Sequence, residues 1–281
     1  MRIKQLQVSF VGEVVYLSIG CPIIAEKLQH IYGQHCQQMN LCTSPDISLE
    51  VYDSADGADY VVVERSLDEG VFSDAFFNEM AALSHLRERI QYRLIASHDE
   101  HLMIHGAAVV KDGQCDIFPA GSGSGKTTLS AWLIGQGYEL LSDELIAIDQ
   151  DGRAAGFAQA LHVKPASVDV LESWPWIKEP LEYAYEMPVG GKLVCWQNSQ
   201  YGVWVPIRRI LIPVFNLSAD PVAEPLSPGQ AIAALVEALL NIRNFSDRGL
   251  PRVSELASHM PAFRLHYGSS DACAKCFEQA S

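Results

Sequence analysis

A chain of 281 residues, 48% of them apolar, is long enough to bury one large core or two small ones. Its formal net charge of -14, with 34 acidic against 20 basic residues, argues against a nucleic-acid or anionic-membrane partner, since both call for clustered Lys and Arg. No apolar run reaches the length of a membrane span and the first residues carry no targeting pattern, so a soluble, cytoplasmic protein is expected.

Residues 1–98 read as a small α+β module, and 99–281 as a second domain. Ile3 to Phe10 and Val14 to Ile19 are short strand-like runs joined at Gly12-Glu13, and Pro22 opens a helix to about Tyr32. Ile47 to Tyr52 and Tyr60 to Glu64 are further strands around an Asp53-to-Gly57 turn. Ser73-Asp74 then caps a predicted long helix to about Ser97, with Phe76, Phe77, Met80, Leu83, Leu86, Ile90 and Leu94 at helical spacing as core.

From Leu102 the pattern changes to strands apolar on both faces, as a buried sheet requires. Leu102 to Val110, a turn at Lys111-Asp-Gly113 and Cys115 to Phe118 lead into Pro119-Ala-Gly-Ser-Gly-Ser-Gly-Lys-Thr-Thr128. Such a run between a strand and an amphipathic helix reads as a phosphate-binding loop rather than a linker. Gly121, Gly123 and Gly125 let successive N–H groups turn toward an anion, and the following helix adds the positive end of its dipole. Ser122, Ser124 and Thr128 complete the cradle. Lys126 is placed for the β- and γ-phosphates of ATP and the Thr127 hydroxyl for a magnesium ion. Ala120 stands where the consensus has its first glycine.

The helix continues to Ile134 and ends at Gly135-Gln-Gly137, and a strand from Tyr138 to Ser142 finishes in Asp143-Glu144. A carboxylate at the end of a strand beside a phosphate loop sits where magnesium and the attacking group meet. Only seventeen positions separate Lys126 from Asp143, which implies one helix crossing between neighbouring strands. His105 interrupts an apolar run and by itself reads as a packed core histidine.

His105-Gly106, the loop from Gly121 to Thr127 and Leu141-Ser-Asp-Glu144 together resemble the kinase domain of HPr kinase/phosphorylase. The chain resembles more closely the branch called HPr-kinase-related kinase A, which carries Ser-Asp-Glu in place of Asp-Asp. The resemblance implies a P-loop α/β kinase fold akin to phosphoenolpyruvate carboxykinase, with an amino-terminal α+β module and a helical carboxy-terminal tail. It also implies ATP-dependent phosphorylation of a serine in a protein or peptide. On it Lys126 is the loop lysine, Thr127 the magnesium hydroxyl, Asp143 the general base, His105 an active-site histidine and Glu144 a metal-orienting carboxylate. The glycine-rich signature that follows the acidic pair in HPr kinase has no counterpart between Asp151 and Tyr201, so HPr is not specified as the acceptor. His162, Lys164 and Lys192 occupy that stretch and have the chemistry to meet a phosphate or an acceptor.

Gly202 to Val205 and Arg209 to Phe215 are predicted strands, and Ser227-Pro-Gly-Gln230 begins a helix carrying Ile232, Leu235, Leu239 and Ile242. Arg208 and Arg209 have the chemistry to neutralise transition-state charge but no motif behind them. Arg252 onward reads as a helix, a strand from Phe263 to Tyr267 and a last helix capped by Ser269 or Ser270. Seven cysteines in a chain without a leader suit reduced thiols, and Cys273-x-x-Cys276 lacks the further ligands of a zinc site. The function expected is Mg-ATP-dependent phosphotransfer to a protein or peptide serine. A small-molecule kinase and an ATP-sensing module without turnover stay open, as does association into a homo-oligomer.

Overall fold

The computed structural model describes residues 3–40, 44–54, 57–66, 70–121, 123–157, 160–188, 190–196 and 202–280, and shows a mixed α/β protein. The first strands, β1 (Lys4–Phe10) and β2 (Glu13–Ile19), pair across a two-residue turn. Val11 (φ 41°) and Gly12 (φ 94°) both take the positive φ that a tight hairpin of this kind demands. Helix α1 (Pro22–Tyr32) starts at its proline and buries Ile24, Leu28, Ile31 and Tyr32. A single 3₁₀ turn, Gly33–His35, leads to β3 (Cys36–Gln38), then β4 (Ile47–Ser54), β5 (Gly57–Ser66) and β6 (Gly70–Phe76). These strands form one sheet in the order β3-β1-β2-β4-β5-β6.

The predicted long helix starts later than its sequence signal. Ser73 and Asp74 lie in β6, opposite Val63 and Val62 of β5. Asn78 takes the cap instead, its Oδ1 accepting from Met80 N (2.8 Å) and Ala81 N (3.2 Å), and α2 runs Glu79–Ala96. Leu83, Leu86, Ile90 and Leu94 are buried along it as expected, whereas Phe77 precedes the helix and is exposed.

The second part comprises β7 (Leu102–Lys111), β8 (Gln114–Pro119), α3 (Lys126–Gly135), β9 (Glu139–Ser142), β10 (Leu145–Ile148) and β11 (Arg153–Gly156). There follow β12 (Leu161–Val163), α4 (Pro165–Glu172), α5 (Pro175–Glu182), β13 (Tyr185–Glu186), β14 (Lys192–Val194), β15 (Val205–Phe215) and β16 (Val222–Pro225). The chain ends with α6 (Pro228–Ala238), α7 (Leu250–His259), β17 (Ala262–Tyr267) and α8 (Ser270–Gln279). In the large sheet the order is β11-β10-β7-β8-β15-β17-β16, and a further β11–β15 pairing closes the first five strands on themselves. A small sheet, β12-β14-β13, stands apart.

Three expectations change here. β8 and β9 are not neighbours, because β7 pairs antiparallel with both and lies between them. The predicted pair of strands at 202–205 and 209–215 is the single strand β15. Finally, α6 stops at Ala238, before Leu239 and Ile242, because the chain there turns to hold the start of β7: Leu240 N donates to Met103 O (2.8 Å), and Asn241 Oδ1 accepts from Met103 N (2.9 Å).

One apolar core joins the two parts. Leu6, Leu17, Leu28 and Leu86 share a buried cluster with Met103, Leu145, Phe157 and Leu193, and the Phe157 ring stacks on Tyr32 with centroids 5.1 Å apart. No helix among the described residues is long and apolar enough to cross a membrane.

Candidate functional site

β8 delivers the glycine-rich loop to the start of α3. Gly123 (φ 91°) and Gly125 (φ 96°) take left-handed conformations that a side chain would strain, and no side chain caps the helix that follows. The cap residue Gly125 offers the first turn of α3 no side-chain acceptor, and the helix dipole favours negative charge there. Lys126 is buried, its Nζ donating to Ala120 O (2.6 Å) and Gly121 O (2.9 Å), so the ammonium is drawn back over the loop. Burial holds its pKa below the ordinary lysine value against the opposing pull of Asp143 and Glu144. The Ser124 hydroxyl is buried without a hydrogen-bond partner. Gly121 is exposed at the loop's outer side, and Ser122 lies outside the described residues.

Strands β9 and β10 run one after the other along β7, with Ser142 opposite Ala108 and Leu145 opposite His105. Asp143-Glu144 is the bend between them, and Glu144 O accepts from Gly106 N at 3.1 Å. The His-Gly pair and the acidic pair thus face each other across one ladder. Gly106 is required by packing, since a Cβ there would lie 2.8 Å from Phe118 O on β8.

Asp143 is 2% exposed and accepts a hydrogen bond from Thr127 Oγ1 on Oδ2 at 2.9 Å, which ties the acidic pair directly to the glycine-rich loop. Its other oxygen, Oδ1, makes no hydrogen bond. Burial pushes the carboxyl up to about 7; Thr127 pulls the other way, Glu144 adds to the rise, and Lys126 and the His162 backbone N–H offset a little of it. Glu144 reaches toward Arg87 of α2, Oε2 to Nη2 3.7 Å. His105 and His162 are each held below the usual imidazole pKa, first by burial.

One cleft is lined by His105, Gly123, Gly125, Lys126, Thr127, Thr128, Asp143 and Glu144 together with His162, Lys164 and Ser167. The three motifs, scattered over forty positions of sequence, therefore meet. His162 on β12, and Lys164 and Ser167 at the start of α4, line the same cleft, and Thr128 Oγ1 donates to Ser167 Oγ at 3.3 Å. Lys192 does not join them: it points to Glu172 (3.5 Å) and Glu186 (3.8 Å). Arg87 was missed in the sequence, as it lies in the first ninety residues with no motif around it.

Arg208 and Arg209 belong to another place. Both bind Asp116 near the start of β8, the end of that strand away from the loop. Cys273 and Cys276 are buried in α8, where burial raises both thiols and Cys276 Sγ donates to His266 O at 3.1 Å. Trp176 backs α3, its Nε1 donating to Ala131 O at 2.9 Å and its ring stacked on Trp174. A search against protein-family models and curated proteins finds no match to this chain.

Proposed function

We propose that this chain is an ATP-dependent phosphotransferase of the HPr-kinase-related type, with Asp143 as general base toward a serine hydroxyl of a protein or peptide. The observation that carries the reading is the Thr127–Asp143 hydrogen bond, which couples a half-satisfied buried carboxylate to a glycine-rich loop. The uncapped start of α3, the left-handed glycines and the lysine and hydroxyl beside them suit a magnesium-bound triphosphate. Magnesium, when bound, neutralises charge on the transferring phosphates.

The chain's own residues supply the rest. Lys126 is released from the carbonyls of Ala120 and Gly121 to serve a phosphate oxygen. Thr127 offers its hydroxyl, and Glu144 a second carboxylate, to the metal side. Asp143 takes a proton on Oδ1, the oxygen that nothing else uses. A base whose pKa stands near 7 is ionised in an appreciable fraction at neutral pH and still binds a proton when an alcohol gives one up. His105 and His162, neutral at that pH, line the same cleft and orient rather than add charge.

The test uses γ-labelled ATP and magnesium in a lysate of the cells that make the protein. Label is expected in a discrete protein band. Lys126→Ala should lose nucleotide affinity, while Asp143→Asn should bind ATP and transfer ~10²–10⁴-fold more slowly. Wild-type transfer by the asparagine variant removes Asp143 from the role of base. Label confined to small molecules makes the chain a metabolite kinase, and binding without transfer makes it a nucleotide sensor.

A further inference from the structure

The acidic cleft lies on the β7 side of the phosphate loop, and a different surface touches the loop from the β15 side. β8, β15 and β17 are parallel neighbours, so the segments that follow them leave the sheet along one edge, the edge at which parallel sheets bind their ligands. β15 ends in Phe215, which is 51% exposed, and two residues on Leu217 is 81% exposed. Phe215 Cβ lies 3.5 Å, and the Tyr267 hydroxyl 3.4 Å, from the point where a side chain would begin on Gly125. This apolar surface is therefore continuous with the last residue before α3.

The surface is also anchored. Phe215 stands edge-on to Tyr267, ring centroids 5.9 Å apart. Asn216 N donates to Tyr267 O (3.0 Å), and Asn216 Oδ1 accepts from Ser218 N (3.0 Å), which folds the turn that displays Leu217. Gly268 packs against the same turn so closely that a Cβ would lie 2.7 Å from Asn216 O and 2.8 Å from Leu217 O. The Tyr267 hydroxyl is buried and has no hydrogen-bond partner beside the loop. Two large apolar side chains are thus held in water, on a fixed turn, at the side of the loop opposite the base.

We propose that Phe215 and Leu217 form the shelf for the base of the nucleotide whose phosphates the loop holds. The inference rests on the phosphate-binding reading above. With the reacting end of a phosphate chain toward Asp143 and Glu144, on the β7 side of the loop, its other end runs toward β15, where this shelf begins. Every nucleobase has an apolar face, and covering it with Phe215 and Leu217 removes from water the surfaces that the fold leaves exposed. Tyr267 acts as a positioning residue, holding Phe215 against Gly125.

The experiment compares the full chain's affinity for MgATP with that for magnesium tripolyphosphate, which has the phosphates and no base. Wild type should bind ATP at least about tenfold more tightly. Leu217→Ser, at an exposed position where folding is safe, and Phe215→Ala should each reduce that ratio by about fivefold or more while leaving tripolyphosphate affinity within about twofold. Lys126→Ala should weaken both ligands. A wild-type ratio near one, or a ratio that neither substitution moves, overturns the shelf and leaves the phosphate loop standing. Failure of wild type to bind either ligand overturns both.

Discussion

Among the described residues of the second part, two aspartates are buried, and they are treated in opposite ways. Asp116, near the start of β8, is 0% exposed and accepts four hydrogen bonds: from Arg208 Nε (2.9 Å) and Nη2 (2.5 Å), and from Arg209 Nε (3.0 Å) and Nη2 (3.1 Å). Arg209 also donates to Ala280 O at 2.8 Å, which fastens the chain's last helix to the sheet. Asp143, beyond the other end of β8, is as deeply buried but has one side-chain donor, Thr127, besides the His162 backbone N–H, and an oxygen with none. Depth of burial therefore does not separate these two carboxylates. The distinction lies in whether the charge has been satisfied, and an under-satisfied buried carboxylate is the costlier of the two to keep ionised.

The largest effect should come from breaking the satisfied site. Asp116→Ala leaves two guanidinium groups without their anion, Arg209 fully inside, and should destabilise the fold by roughly 3–5 kcal/mol. Thermal unfolding checks it, with a fall in Tm on the order of 10 °C expected. A change of under about two degrees would mean that solvent or rearrangement replaces Asp116, and the contrast between the two sites would collapse.

The unsatisfied site should respond with the opposite sign. Asp143 binds its proton more tightly folded, at about 7, than at the ordinary 3.8, so between these values the folded state holds a proton that the unfolded state has lost. Stability contributed by this group therefore falls as pH rises from about 4 to about 7, and levels off above. Asp143→Asn removes the titration, and at pH 8 the variant should be more stable than wild type by on the order of 2–4 kcal/mol, with the gain vanishing toward pH 4. Denaturant unfolding across that range is the measurement. A variant less stable than wild type at pH 8 would show that Asp143 is satisfied by a partner after all.

Much of this arrangement was legible from local chemistry, and what was not has a common cause. Pro22 at the start of α1, the turn at Gly12, the glycine-rich loop and the Ser269 cap of α8 are each signalled within a few residues of where they act. The later start of α2 is a contest that the local pattern misjudged: Ser73 and Asp74 look like a cap, but β5 offers them a full ladder, and Asn78 caps the helix five residues after Ser73. Strand neighbours are non-local, so nothing near Lys126 or Asp143 reveals that β7 runs between β8 and β9. For the same reason His162, Lys164 and Ser167 could not be assembled into one cleft from spacing, nor Arg87 paired with Glu144, nor Lys192 excluded. The duty of Arg208 and Arg209 to Asp116 depends on the β8–β15 register across 92 and 93 positions.

The finest test asks how much of the contrast between Asp116 and Asp143 rests on hydrogen bonds alone. Thr127 supplies Asp143 with its one side-chain hydrogen bond, and that bond favours the ionised form. Thr127→Val deletes the donor at nearly constant volume, so the carboxyl should be pushed further up, by about one unit if the bond contributes the ~1.5 kcal/mol usual for a charged acceptor. The window in which Asp143 loses stability with rising pH should then extend to about 8. Thr127→Ser keeps the hydroxyl and should leave it ending near 7. Because either substitution also alters packing, the quantity to follow is the difference in unfolding free energy between each variant and the same variant carrying Asp143→Asn, measured against pH, in which only the titration of Asp143 survives. If valine and serine give the same curve, the Thr127 hydroxyl does not set the state of Asp143, and the four side-chain bonds around Asp116 and the single side-chain bond here differ in number without differing in consequence.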